Sequence, residues 1–361
     1  MNPAGRGIDV VEQPQRGWLG VFLDDRQTRN ERISILSLVD RHGLAGVWQG
    51  EMAFHASSLG YLSWYAGLSN SCRLVAAATN PWSRNLAIEA QEIYTLAMQA
   101  PHRLAVGLAP WGEHRAAAIG VRRQKPLAEL ELSIEILRRL LQLEEISVDE
   151  GPFTLRRVQL APPDGEAVSV PLLVGANGEK ALQLAGKRAD GAILNYLTDS
   201  EYTSWAIDVL RHARAAASVD SSFEISQLIF VSCHSDPNVA HARAREWLRE
   251  HLMSDFPHFR RWSNIPELTL AELGNNGITE GRVAELLPPE IVGRLIITGD
   301  AAECAAGLEH RTRLGVDIAV MAPIAEPVEA LEGILAALDK IEQRSRLGSR
   351  DDLGGGSHVG K

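Results

Sequence analysis

The segment at residues 171–195, PLLVGANGEKALQLAGKRADGAILN, reads as one strand–helix–strand unit. Residues 171–175 (PLLVG) are apolar on both faces and too few for a helix, the pattern of a strand covered on both sides. A turn of small residues, Ala176, Asn177 and Gly178, leads into a predicted helix over 179–188. A second apolar run at 192–195 returns to the sheet. Doubly covered strands joined by a helix imply a parallel sheet.

The same alternation extends in both directions. Upstream, strands are predicted at 18–23 (WLGVFL), 45–49, 73–79 and 104–108, and downstream at 225–232 and 317–321. Helices are predicted at 30–42, stopped by Gly43, and at 84–100, 126–143, about 200–217 and 328–344. Eight such strands over this length favour an α/β fold of the (β/α)8 TIM-barrel type. The doubly wound open sheet competes, but no GxGxxG follows the first strand. Residues 17–344 read as a single barrel domain, with insertions at about 145–170 and 253–293. The flanks, 1–16 and 345–361, read as flexible tails rich in Gly and polar residues.

The chain has 361 residues, 45% hydrophobic and 23% charged, with a formal net charge of −10. That composition excludes wholesale disorder, and the acidic balance argues against a nucleic-acid partner. No run is long enough to span a bilayer, and the start carries no secretory signal. The three cysteines, Cys72, Cys233 and Cys304, are far apart in sequence and show no zinc-ribbon spacing. A cytoplasmic protein with a small-molecule substrate and no metal is expected.

In a barrel, chemistry gathers where strands end and βα loops begin. The residues there include Asp24 and Asp25, Glu51 and His55, Thr79 and Asn80, Pro110, Trp111 and Gly112, and Gly175 to Gly178. Few titrate and many are small or aromatic, which suits a flat, bulky ligand better than a hydrolytic centre. At 175–178 the uncompensated N–H groups of a helix start make an anion site, and the glycines let a phosphate approach. The same residues equally serve a capped helix and a tight turn. Glu51, closing an apolar strand, is a candidate proton donor or acceptor; a surface carboxylate is the plainer alternative. His55 and Asp24 are candidates of the same standing, set against a solvated loop and a turn cap.

Four stretches carry a family resemblance: GLAGVWQGEM (43–52), AATNPWSRNLAIEAQEIYTLA (77–97), HRLAVGLAPWGEHRAAAIG (102–120) and ADGAILNYLTDSEY (189–202). In order and spacing they resemble the luciferase-like monooxygenase superfamily. Within it they resemble the coenzyme F420-dependent branch that includes methylene-tetrahydromethanopterin reductase. The resemblance implies a TIM barrel, a homodimer and a flavin-like cofactor at the strand C-termini. It implies a non-prolyl cis peptide in strand three, around Ala76-Ala77, beside Thr79 and Asn80. It places the cofactor phosphate at Gly175, Ala176, Asn177 and Gly178, and the cofactor tail against Pro110, Trp111 and Gly112. One departure stands out. Many members carry an acidic residue followed by His at the end of strand two, where this chain has Glu51-Met52. A proton role there passes to Glu51 or to His55.

Three functions follow as competitors. The first is an F420H2-dependent reductase sending hydride to a C=C or C=N bond. The second is an FMN-dependent monooxygenase of the same barrel. The third is a barrel without catalysis that serves as a binding subunit.

Overall fold

The computed structural model describes residues 16–51, 54–110, 112–162, 165–253, 263–275 and 277–351. Its strands, in chain order, are β1 (Arg16–Leu23), β2 (Leu44–Gln49), β3 (Leu74–Thr79), β4 (Leu104–Leu108), β5 (Ile146–Glu150), β6 (Phe153–Val158), β7 (Leu172–Ala176), β8 (Gly191–Leu194), β9 (Glu224–Cys233), β10 (Ile297–Gly299) and β11 (Ile318–Pro323). The helices are α1 (Arg29–His42), α2 (Ser58–Ala66), α3 (Leu86–Gln99), α4 (Glu113–Ala118), α5 (Pro126–Leu141), α6 (Glu179–Arg188), α7 (Ser200–Ala216), α8 (Pro237–Leu252), α9 (Glu267–Leu273), α10 (Glu280–Leu286), α11 (Pro289–Leu295), α12 (Ala301–Arg313) and α13 (Pro327–Asp351).

Eight parallel strands close into a ring in the order β1-β2-β3-β4-β7-β8-β9-β11. The last step returns to β1 through Leu19↔Ala319, Gly20↔Val320 and Val21↔Met321. The TIM barrel expected from the strand pattern is therefore the fold. Strand β9 changes neighbours along its length. Its lower half pairs with β8 as far as Leu194↔Gln227, and its upper half pairs with β10 from Ile297↔Val231 to Gly299↔Cys233.

Side chains along the ring alternate between two cores. Leu19, Val21, Val47, Leu74, Ala76, Val106 and Leu108 pack outward under the helices. Phe22, Trp48, Val75, Ala105, Leu173, Ile193 and Phe230 fill the enclosed core. Trp48 is fully buried there, and a Cβ on Gly20 would overlap its indole, so β1 needs glycine at that point. Helix α1 begins with a Thr28–Glu31 capping box and ends at Gly43, whose φ of 58° is left-handed, as the sequence signals predict.

The excursion at 145–170 contains the antiparallel hairpin β5–β6. The insertion at 253–293 contributes α9, α10 and α11, which pack with α8 through Leu248, Leu252, Leu273 and Leu295. Strand β10 was not expected; a run of three residues is too short to show a period. The barrel also begins and ends beyond the predicted limits. Arg16 belongs to β1, and its buried guanidinium bonds Asp339 at 2.6 Å and Glu342 at 3.1 Å on α13. That helix continues to Asp351. The rest of both predicted tails lies outside the described residues. Among the described residues no helix is long and apolar enough to cross a membrane, and no acidic, His and Cys group could hold a metal.

Candidate active site

One half of the barrel mouth is built from the ends of β3, β4 and β7. Its half-exposed residues are small: Ala77, Ala78, Ala109 and Gly175. The peptide bond Ala77–Ala78 is cis, and the β3–β4 register shifts between Ala76 and Thr79. The expectation of a cis bond in strand three holds, one residue further on than Ala76-Ala77. Ala76 is fully buried on the helix side and Ala77 and Ala78 face the mouth, because the bulge re-aims the chain after Ala76. The strands approach closely here. A Cβ on Gly107 would lie 2.7 Å from the Ala76 carbonyl oxygen, and one on Gly175 would lie 2.9 Å from Ala109 Cβ.

Thr79 and Asn80 are fully buried at the end of β3. The Thr79 hydroxyl donates to the Gly107 carbonyl at 3.4 Å. The Asn80 carbonyl oxygen accepts from the Trp82 and Ser83 N–H groups, which folds the turn into α3. Behind this turn, on α3, sits Glu89 with no exposed surface. Neither of its oxygens has a well-formed hydrogen bond. Burial pushes its carboxyl up to about 7, while the Thr79 hydroxyl and Arg84 pull the other way.

At the end of β7, Gly178 is the N-cap of α6 and supplies no capping side chain. The buried Asn177 Oδ1 has no hydrogen-bond partner, and the Asn177 main-chain carbonyl accepts from the Tyr202 hydroxyl at 2.8 Å. Gly175, Asn177 and Gly178 are half-buried at the mouth, whereas Ala176 packs outward in the core. The turn thus offers the uncapped N–H groups of a helix start, the donors of an anion site, beside an amide oxygen that is free to accept a hydrogen bond. Pro110 is half-exposed, and Gly112 is the exposed N-cap of α4. Trp111 lies outside the described residues.

The other half of the mouth, from β8, β9, β11 and β1, is aromatic and charged. Tyr196 and Phe230 lie 4.2 Å apart, Phe230 meets Trp247 edge-on at 5.3 Å, and Trp247 lies 4.2 Å from His251. The Arg26 guanidinium covers Trp247 at 4.5 Å and donates to the Pro323 carbonyl at 3.2 Å. Burial lowers the His251 pKa, against the pull of its bond to the Trp247 carbonyl.

The three predicted catalytic residues part company here. Asp24 is consumed by Arg26, whose Nε lies 2.9 Å from both carboxylate oxygens. Glu51 holds Arg84 with both oxygens, at 2.8 and 2.9 Å, and its Oε2 also accepts from the Ser58 hydroxyl at 2.8 Å. It straps the start of α2 to the start of α3. His55 is exposed, and its Nδ1 stands 3.5 Å from Asp25 Oδ2, an oxygen that is itself buried without a hydrogen bond. Two loops thus bring an imidazole beside a carboxylate. Sequence reading had joined Asp25 to Asp24 and had not paired it with His55. Sequence alone gives no sign of Ala78, Arg26, Trp247 or His251 at the mouth. The last two show only as an aromatic pair at i, i+4 spacing on the helix before the insertion.

Comparison with known proteins agrees with this architecture. The sequence profile of the luciferase-like monooxygenase family matches residues 18–318. The 5,10-methylenetetrahydromethanopterin reductase of Methanolobus tindarius is 30% identical over 158 residues, 44% of this chain and 48% of that protein, so the match spans about half of that relative. The enzyme of the same name from Archaeoglobus fulgidus is 25% identical over 256 residues, 69% of this chain and 76% of the relative. The solved structure of the coenzyme F420-dependent tetrahydromethanopterin reductase from Methanopyrus kandleri superposes with a TM-score of 0.75 at 17% identity, covering 88% of this chain and 97% of that one. With a profile match over most of its length and a closed parallel barrel, the chain belongs to the luciferase-like monooxygenase family.

Proposed function

We propose that this protein is a coenzyme F420-dependent oxidoreductase that works as an F420H2-dependent reductase on a C=C or C=N bond of a small molecule. Relatives named for F420 or for a reductase of this kind support the reading. The observation that carries it is the small-residue half of the mouth. Ala77, Ala78, Ala109 and Gly175 make a surface on which a planar ring system can lie flat. The uncapped start of α6 at Gly178 fits the phosphate of such a cofactor, and the unsatisfied Asn177 Oδ1 fits a hydroxyl beside it. Pro110 and Gly112 stand where its tail would run. When bound, the deazaflavin supplies the hydride.

The chain's own residues orient the acceptor and manage the proton. Tyr196, Phe230 and Trp247 wall the opposite half and keep water from the reacting face. Reduction of C=N or C=C needs one proton beside the hydride. We assign its donation to a ring nitrogen of His55, which solvent can recharge because the side chain is 59% exposed. The Asp25 carboxylate stands beside the ring, 3.5 Å from its Nδ1. Glu51 is committed to Arg84 and Ser58 and serves as a strap.

Equilibrium titration of the purified protein with F420 and with FMN tests the reading. It expects F420 to bind in preference to FMN; FMN binding without F420 binding would replace it with the monooxygenase reading. A barrel that binds neither would be the non-catalytic subunit.

We also infer that the cytoplasmic protein pairs with a second copy through the α1–α3 face. Ile33 on α1 and Ile88 and Met98 on α3 are exposed apolar side chains, and a cleft of about 280 Å³ lies between α2 and α3. A monomeric mass in solution would refute this.

A further inference from the structure

Cys233 closes β9 and Cys304 lies in the first turns of α12, on either side of β10, where the insertion rejoins the barrel. The Cys304 side chain reaches over the rung that Cys233 closes, so the two thiols are neighbours. Cys304 Sγ lies 3.8 Å from the Ser232 carbonyl oxygen and 3.7 Å from that of Gly299, over the last rung of β9–β10, where Gly299 stands opposite Cys233. Cys304 is buried and Cys233 is only half-buried. The neighbouring Cys304 thiol holds the Cys233 thiol below its ordinary range, against burial and the nearby Asp300. Burial pushes the third thiol, Cys72, up to about 12. One sulfur of the three therefore combines access with thiolate character, and its neighbour is a second thiol.

We propose that Cys233 and Cys304 form a peroxide-responsive disulfide site at the root of the insertion. The Cys233 thiolate attacks hydrogen peroxide, the O–O bond breaks, and with one proton taken up the products are Cys233 sulfenic acid and water. The Cys304 sulfur then attacks the sulfenic sulfur. The S–O bond breaks, the S–S bond forms, and the Cys304 proton leaves with the hydroxide as a second water. The peroxide has taken two electrons from the pair. The crosslink closes a loop of about 70 residues that carries α8 and the whole insertion, so it fastens both ends of that insertion to the barrel. None of this depends on which cofactor the mouth takes.

The test uses the full chain, reduced and then treated with a small excess of hydrogen peroxide. The expected product is lighter by two hydrogens, shows one titratable thiol after unfolding where there were three, and yields a Cys233–Cys304 linked peptide. Reductant restores all three thiols. In the Cys304→Ser variant, oxidation should stop at a Cys233 sulfenic acid that dimedone traps. Three thiols surviving the treatment of the wild type would overturn the proposal. So would Cys233 accumulating as sulfinic acid with Cys304 still reduced, or Cys233 linking two chains.

Discussion

The two halves of the barrel mouth are built alike, from the ends of parallel strands, and do opposite things. Around β3, β4 and β7 the chain removes side chains: Ala77, Ala78, Ala109 and Gly175 leave backbone and methyl groups at the surface. Around β8, β9, β11 and β1 it adds them, with Tyr196, Phe230 and Trp247 under the Arg26 guanidinium. The small half can be that small because neighbouring strands touch through glycine, as the contacts at Gly107 and Gly175 require. The aromatic half needs a second layer behind it, and α8 with the insertion supplies one. The small-residue rim and the aromatic rim meet where β7 pairs with β8.

That division of labour can be broken at either side. The largest effect is expected at His55. His55→Ala should lower kcat by about a thousandfold, roughly 4 kcal/mol in the barrier, with the F420 dissociation constant unchanged in titration. A parallel loss of F420 affinity would mean that the two halves are not independent.

Next comes Glu89, behind the small half. Its folded pKa of about 7 lies above the ordinary carboxyl value of 4.5, so the protonated form is favoured in the folded state. The stability it contributes is fully present below about pH 4.5 and is lost as pH rises through about 7, a fall of about 3 kcal/mol. Glu89→Gln should remove that slope and be the more stable protein at pH 8, read as melting temperature against pH. A parallel slope in the variant would show that burial of this acid costs nothing.

A smaller change is expected from Trp247→Ala. It should raise KM by about tenfold, near 1.4 kcal/mol, and leave cofactor affinity alone. The smallest is Asn177→Ala, which should weaken F420 binding by about threefold, under 1 kcal/mol, without touching KM. A larger effect on KM than on cofactor affinity would reverse the assignment of that turn.

The barrel was legible because each of its strands is apolar on both faces, and only a strand between two cores needs that. Strand β10 was not, since three residues carry no period. The strand–turn–helix at Gly175–Gly178 could be read because turn signals are local. The bulge was placed within one residue, because the Thr79-Asn80-Pro81 run fixes it but the alanines on either side look alike. Glu51 looked like a free acid because its partner Arg84 is 33 residues away in sequence. The Asp25–His55 pair was hidden for the same reason: loops from different strands meet only once the ring has closed. Titratable residues show their identity in sequence, but their partners belong to the tertiary structure.

The exchange of neighbours along β9 has a mechanical corollary. Closure of the cylinder rests on the lower rungs to β8, whereas the upper rungs to β10 hold only the appended segment. Zippering and unzippering of the upper rungs therefore leaves the staves below intact. The wall above that seam can be lengthened, traded or tilted through evolution, or flexed during turnover, while the cask beneath stays watertight.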